Sequence, residues 1–184
     1  MIWIDVETTG LYPLTDRILE IGFIVTDDDL KELARASWIR HADPTETLDP
    51  WIQKTHGANG LLEECYAKHR EIFKLPDPSE AGKKAAREML DFLTPWVKDK
   101  PPLCGSSVDF DKNFIKMNHF YELWLPQLFS YRVIDVSTIK ELAKIWAPDV
   151  YEKRPKDRSL HRVLPDIEDS IAELKYYRST GFIG

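Results

Sequence analysis

The chain has 184 residues, 43% of them apolar, a formal net charge of −6 and two cysteines. Such a length suits one compact domain with a sizeable core. The acidic total excludes a generic binder of long duplex, whose affinity comes mostly from neutralised phosphates, and two thiols exclude a disulfide framework. Cys65 and Cys104 read as small buried hydrophobes in a reducing compartment. No basic leader precedes the first apolar run, and no apolar run approaches the ~20 residues of a membrane span, so the expected location is the cytoplasm.

The first predicted strand is Ile2 to Val6, inside "WIDVETTGL". Side chains alternate across a strand, so Trp3, Asp5 and Glu7 share one face and Ile2, Ile4 and Val6 the other. After a glycine turn, Arg17 to Thr26 is a second strand with Leu19, Ile21, Phe23 and Val25 on its apolar face. "TDDD" is a tight turn, and Leu30 to His41 folds back as the third strand of a meander. Leu48 to His69 is helical but divided by Gly57 and Gly60. The next helix is capped by Asp77, has Pro78 at its first position and completes a capping box with Glu80. Ala81, Ala85, Met89, Phe92 and Trp96 mark its buried face.

A fourth strand ends at Gly105, and the helix "DFDKNFIKMNHF" turns Phe110, Phe114 and Met117 inward. Tyr131 to Asp135 is a fifth strand, and "STIKELAKIW" is a helix burying Ile139, Leu142, Ala143 and Trp146. Ala147 to Ser159 is polar and proline-bearing, which predicts a loop. The last helix runs from about Pro165 to Arg178, with Ile167, Ile171 and Leu174 on one face. This order predicts one α/β domain over residues 1–184, its mixed sheet an antiparallel meander extended by parallel strands and flanked by helices.

Asp5 and Glu7 do not suit a buried strand. Two like charges on one face repel, and leaving both ionised and unpaired in a core is costly. The remedies are protonation, a basic partner such as Arg17, or a cation. Two further acids favour the cation. Asp111 lies where a strand end feeds a helix, and Asp166 near the start of the last helix. Strand ends leading into helices are where α/β proteins build sites. Four converging carboxylates match two divalent cations, and oxygen ligands select Mg²⁺ or Mn²⁺. Two such ions, about 3.5–4 Å apart, form an apparatus for in-line displacement at phosphorus. His161, five residues before Asp166, is a candidate general base; taken alone it reads first as an exposed or capping residue.

"DVETTGL", "FDKNF" and "HRVLPD" resemble the three motifs of the DEDDh exonucleases. The resemblance implies Asp5, Glu7, Asp111 and Asp166 as metal ligands and His161 as base, with Asp109 a nearby competitor for Asp111. "DRILEIGFIVTD", "WIQKTHGANGLLEE", "LCGSS", "YRVIDVSTIKELAKIW" and "DSIAELKYYR" are similar to oligoribonucleases over nearly the whole chain. That family has a ribonuclease H-like fold, is homodimeric, and removes nucleotides 3′ to 5′ from very short RNA, dinucleotides especially.

Carried over residue by residue, the resemblance implies a cap on the 5′-phosphate made by Ser107, Arg132, Ser137 and Thr138. Arg132 supplies a guanidinium, and the hydroxyls lie by a helix N-terminus. Tyr131 reaches into the neighbouring subunit's site to stack a base opposite Leu11. Trp51 and His56 line the pocket of the 3′ nucleotide. Each also has a plainer reading: a capping box from Thr138 to Glu141, core packing for Tyr131 and Trp51, an ion pair for Arg132. Thr8 stands where the family usually has Met, and Arg162, Val163, Leu164 and Pro165 replace its usual Gln-Ala-Leu-Asp. These changes spare the ligands, place the charge of Arg162 near the scissile phosphate, and bear on dinucleotide preference rather than catalysis. The competing readings are a proofreading-type exonuclease on single-stranded DNA and an inactive nucleic-acid-binding module of the same fold.

Overall fold

Apolar and β-branched runs build the sheet, as such side chains pack well on a pleated surface. The computed structural model describes residues 1–117, 125–158 and 160–183. The strands are β1 (Ile2–Thr8), β2 (Ile18–Thr26), β3 (Glu32–Ile39), β4 (Leu103–Gly105) and β5 (Val133–Asp135), in the spatial order β3-β2-β1-β4-β5. β1–β2 and β2–β3 are antiparallel, while β1–β4 and β4–β5 are parallel, so the sheet is mixed as the sequence predicts. Helices α1 (Pro50–Ala58), α2 (Leu61–Ile72) and α3 (Ser79–Leu93) follow the meander. Then come α4 (Val108–Met117), a short α5 (Leu125–Leu128), α6 (Val136–Trp146), α7 (Pro148–Lys153) and α8 (Val163–Ser179). No helix among the described residues is long and apolar enough to cross a membrane.

The alternation of β1 sorts its side chains into two cores. Ile2, Ile4 and Val6 join Ile21, Phe23, Met89 and Phe114 on one face of the sheet. Trp3 joins Ile24, Cys104, Ile167, Ile171 and Leu174 on the other. A third cluster packs Leu19 against Ile52, Leu61, Leu62 and Cys65 of α1 and α2. All nine residues of β2 are consequently buried, where the sequence suggested one apolar face. Both thiols are buried and unpaired, and burial pushes each up to about 12, which leaves them unreactive.

Four other expectations are corrected. Met117 and Trp146 are exposed, each in the last turn of its helix as described. The segment from Ala147 contains α7, because Pro148 falls in the first turn, where its missing N–H costs nothing. Asp77 accepts from the Ser79 N–H at 2.9 Å, but Pro78, expected at the first helical position, holds the N-cap position of α3 in its place, and Glu80 turns to Lys83 instead of closing a capping box. The last helix starts at Val163, two residues early, with Pro165 inside its first turn. Residues 118–120 of the predicted "DFDKNFIKMNHF" helix and Ser159 of the predicted loop lie outside the described residues.

Candidate active site

The site forms at the C-terminal end of β1, where the sheet changes from antiparallel to parallel. β4 is only three residues long and pairs with Ile2 and Trp3, so among the described residues the backbone of β1 beyond them has no strand partner on that side. Asp111, in the first turn of α4, fills the gap: its Oδ1 accepts from the Val6 N–H at 2.9 Å. Gly105 permits the approach, since a Cβ there would lie 3.0 Å from the Ile4 carbonyl and 3.3 Å from Val108. Asp109 points outward, exposed and 3.8 Å from Lys112. Asp111 rather than Asp109 thus reaches β1.

Gly22 sits opposite Asp5 in the β1–β2 register. A Cβ at Gly22 would come within 2.5 Å of the Val163 side chain, so the start of α8 lies flat against β2. That seats Asp166, one turn into α8, beside β1. Ligand atoms of Glu7, His161 and Asp166 lie within 4.8 Å of one another. Arg17, the alternative counter-charge, pairs instead with Glu46. Among the described residues, no Lys or Arg forms an ion pair with Asp5, Glu7, Asp111 or Asp166.

The carboxylates register this crowding. Asp5 is held well above the usual carboxylate range, first by its removal from water and then by the charges of Asp111, Glu7 and Asp166. Burial, with Asp166 and Glu20, pushes Glu7 up to about 8. Burial pushes Asp111 up to about 8 against the opposing bond from Val6, and Asp166 up to about 6 against the influence of His161. Protons on Glu7 and Asp111 therefore hold the place of positive charge near neutrality, and the donors are hard oxygens beside the imidazoles of His161 and His56. That set fits divalent cations.

Two cavities flank the cluster. One, of about 670 Å³, is lined by Glu7, Leu11, Trp51, His56 and Phe110. The other, of about 260 Å³, is lined by Asp5, Ser106, Lys140, His161 and Asp166. The turn bearing Leu11 is braced by Asp16, which accepts from the Tyr12 N–H at 2.8 Å and from the Thr9 hydroxyl at 3.2 Å. Thr8 tightens the same turn by donating to the Gly10 carbonyl at 2.6 Å. His56 is buried with Nε2 3.5 Å from Glu7, and burial with the nearby His161 and Arg162 charges brings it down to about 4, so it is neutral at physiological pH. Trp51 packs edge-on to both His56 and His161.

Ser107, Tyr131, Arg132, Ser137 and Thr138 are not among the side chains lining these cavities. They gather instead around β5. The Asp135 carboxylate accepts from the backbone N–H groups of Ser107 (3.0 Å), Val108 (3.2 Å) and Ser137 (2.9 Å), and from the Ser137 hydroxyl at 2.6 Å. Tyr131 and Arg132 are both exposed, the guanidinium 5.0 Å from the ring centre.

Sequence reasoning missed Asp135 and Glu20. Glu20 faces Glu7 across β1–β2 and is buried. Arg162 neutralises it with bonds of 2.9 and 3.2 Å and also bonds Glu64 at 2.9 Å. The charge of Arg162 is thus committed to these two acids, not free for a phosphate as the sequence suggested. An acid within the apolar run "RILEIGFIVT" was the available signal for Glu20.

Residues 2–174 match the RNase_T exonuclease family. The chain is 43% identical to the oligoribonuclease of Haemophilus ducreyi over 183 residues, covering 97% of this chain and 92% of that one. It is 44% identical to the oligoribonuclease of Shewanella amazonensis over 186 residues, covering 99% and 95%. Among solved structures, an exonuclease I superposes with a TM-score of 0.68 at 18% identity, over 97% of this chain and 40% of that one. The zinc-bound complex of Escherichia coli exonuclease I with single-stranded DNA gives 0.71 at 16%, over 99% and 41%. The present chain thus spans about two fifths of exonuclease I, and at that identity the likeness shows the shared ribonuclease H-like fold alone. The exonuclease family is metal-dependent, in keeping with the carboxylate cluster. The chain belongs to the oligoribonuclease family of exonucleases.

Proposed function

We propose that this protein removes nucleotides from the 3′ end of short oligoribonucleotides, dinucleotides in particular, with two divalent cations, Mg²⁺ or Mn²⁺, held by Asp5, Glu7, Asp111 and Asp166. The carrying observation is the cluster itself: Glu7, His161 and Asp166 within 4.8 Å of one another, beside Asp5 and a buried Asp111, on a chain 43% identical to an oligoribonuclease. The protein is a hydrolase of phosphodiester bonds, and residues 1–184 act as one exonuclease domain in the cytoplasm.

When bound, the cations polarise the phosphate and neutralise charge on the attacking and leaving oxygens. The chain's own residues do the rest. His161 accepts a proton from the attacking water as its oxygen bonds to phosphorus. The bond to the 3′ oxygen breaks, releasing a nucleoside 5′-monophosphate. The ~670 Å³ cavity takes the 3′ nucleotide between Leu11, Trp51 and His56. Neutral His56 adds no charge that would compete with the cations for Glu7.

Around β5, Arg132 and Thr138 meet the terminal 5′-phosphate. Asp135 arranges Ser107 and Ser137 beside them; its bond to the Ser137 hydroxyl leaves that oxygen's proton unavailable until the rotor turns. Tyr131, 81% exposed, reaches the neighbouring subunit's site in a homodimer and stacks on the 5′ base. Incubating a 5′-labelled RNA and DNA ladder, from two nucleotides upward, with either metal tests this reading. Rapid loss of the RNA dimer with slow shortening of long strands is expected. Uniform shortening of long DNA would replace it with a single-strand DNA exonuclease, and activity surviving full chelation would remove the metals from the mechanism.

A further inference from the structure

The segment that carries His161 is held in an unfavourable shape. His161 has φ +51°, in the left-handed region that residues with a Cβ rarely adopt. Such a conformation persists only where neighbouring contacts impose it. The contacts here come from the junction of α1 and α2. The Asn59 side-chain amide donates to the carbonyl of His161 at 2.7 Å and to that of Leu160 at 3.1 Å. Its other atom, Oδ1, accepts from the Leu61 N–H at 3.0 Å at the start of α2. That third bond fixes which end of the amide is the donor, because a flipped amide would set N–H against N–H. From the same helix, α1, the Trp51 ring packs edge-on against the His161 ring, with centres 5.4 Å apart. One element therefore grips His161 twice, on the ring through Trp51 and on the backbone through the residue that ends the helix.

We infer that Asn59 is a positioning residue for the hydrolysis, holding the Leu160–His161 backbone so that the imidazole faces Glu7 and Asp166. The inference rests on His161 being the base. Asn59 lines neither cavity beside the cluster, and its side-chain bonds go to Leu160, His161 and Leu61, so it acts through His161. A one-ångström misplacement of a reacting group costs up to about 10²-fold in rate, so loss of the clamp falls on turnover, not on binding.

Three variants test this with an RNA dinucleotide. Asn59→Asp keeps the acceptor for Leu61 and the shape of the side chain but replaces the donor by an oxygen facing two carbonyls. Asn59→Ala loses both. His161→Ala tests the underlying assignment. Both Asn59 variants should lose about 10- to 100-fold in kcat while KM stays within about threefold, with Mn²⁺ affinity by calorimetry and the melting temperature of Asn59→Asp close to wild type. Wild-type kcat in Asn59→Asp would reduce Asn59 to a cap on α2 and overturn the inference. A rise in KM with kcat unchanged would overturn it too, placing Asn59 in binding. Full activity in His161→Ala would instead overturn the assignment of the base, and the inference with it.

Discussion

Asp5 and Glu7 are placed at a cost to the fold, and that cost is measurable. Asp5→Ala should lower turnover by about 10²–10³ or more, because a charge that organises the transition state is lost. The same change relieves a crowded, desolvated carboxylate, so the melting temperature of the metal-free protein should stay level or rise. A large fall in that temperature would mean that Asp5 holds structure instead. Asp135 has the opposite profile. It caps α6 and collects the backbone around Ser107 and Ser137. Asp135→Ala should cost about 1 kcal/mol of stability. It should also raise KM for 5′-phosphorylated dinucleotides while leaving their kcat nearly unchanged, which steady-state kinetics with and without the 5′-phosphate will show. The carboxylates of the cluster were legible in the sequence because acids in apolar surroundings stand out. The destination of Arg162 was not, because Glu20 is 142 positions away and only the β2–α8 packing brings them together.

At the level of elements, close backbone approach decides where the clustered carboxylates stand. Gly22 lets α8 lie on β2, and Gly105 lets β4 close on β1. Gly22→Ala should push Val163 outward, lower stability by about 1–3 kcal/mol, and weaken Mn²⁺ binding about 10-fold or more as Asp166 moves. Urea unfolding and calorimetry measure the two effects separately, and full Mn²⁺ affinity would show that α8 reaches its position independently of this contact. Periodicity located nearly every strand and helix here, and β1's alternation even sorted Trp3 from Ile2, Ile4 and Val6. It could not show that β2 is covered on both faces, nor that Trp146 in the last turn of α6 is exposed. Both depend on what another part of the chain places alongside. Pro148 misled for a local reason, since a proline reads equally well as the end of one helix or the start of the next.

For the whole molecule, the raised carboxylates tie stability to pH. Glu7 and Asp111 near 8 and Asp166 near 6 all lie above the ordinary value of about 4. Between those limits the folded, metal-free chain binds more protons than the unfolded one. The stabilisation is complete below about pH 4 and is lost as pH rises towards 8. The paired surface acids Glu32 and Glu168 are lowered and titrate below this window, whereas the lowered His41 and His56, the latter near 4, oppose the trend up to about pH 6.5, where the three raised carboxylates outweigh them. The melting temperature of the chelated protein should therefore fall between pH 5 and 8, by about 2–4 °C for each 1 kcal/mol lost at this chain size. Saturating Mn²⁺ should flatten the slope, since the ion displaces those protons. A chelated protein that grows more stable over that range would contradict the reading of the cluster.

Glu7 belongs at once to the acid cluster and to the wall of the larger cavity. Loading of the two is therefore thermodynamically linked. A nucleotide that fills the cavity strips water from one side of Glu7 and brings a phosphate anion beside it, so its carboxylate is harder to keep ionised without a cation. Whatever factor the nucleotide adds to cation affinity, the cation must return to nucleotide affinity, because the cycle closes. On the proposed reading of the site, neither has to bind tightly alone, and a requirement for both would discriminate between substrates. On that reading, a strand that reached the cavity but failed to seat its phosphate would gain nothing from the metal and would leave before it was cut.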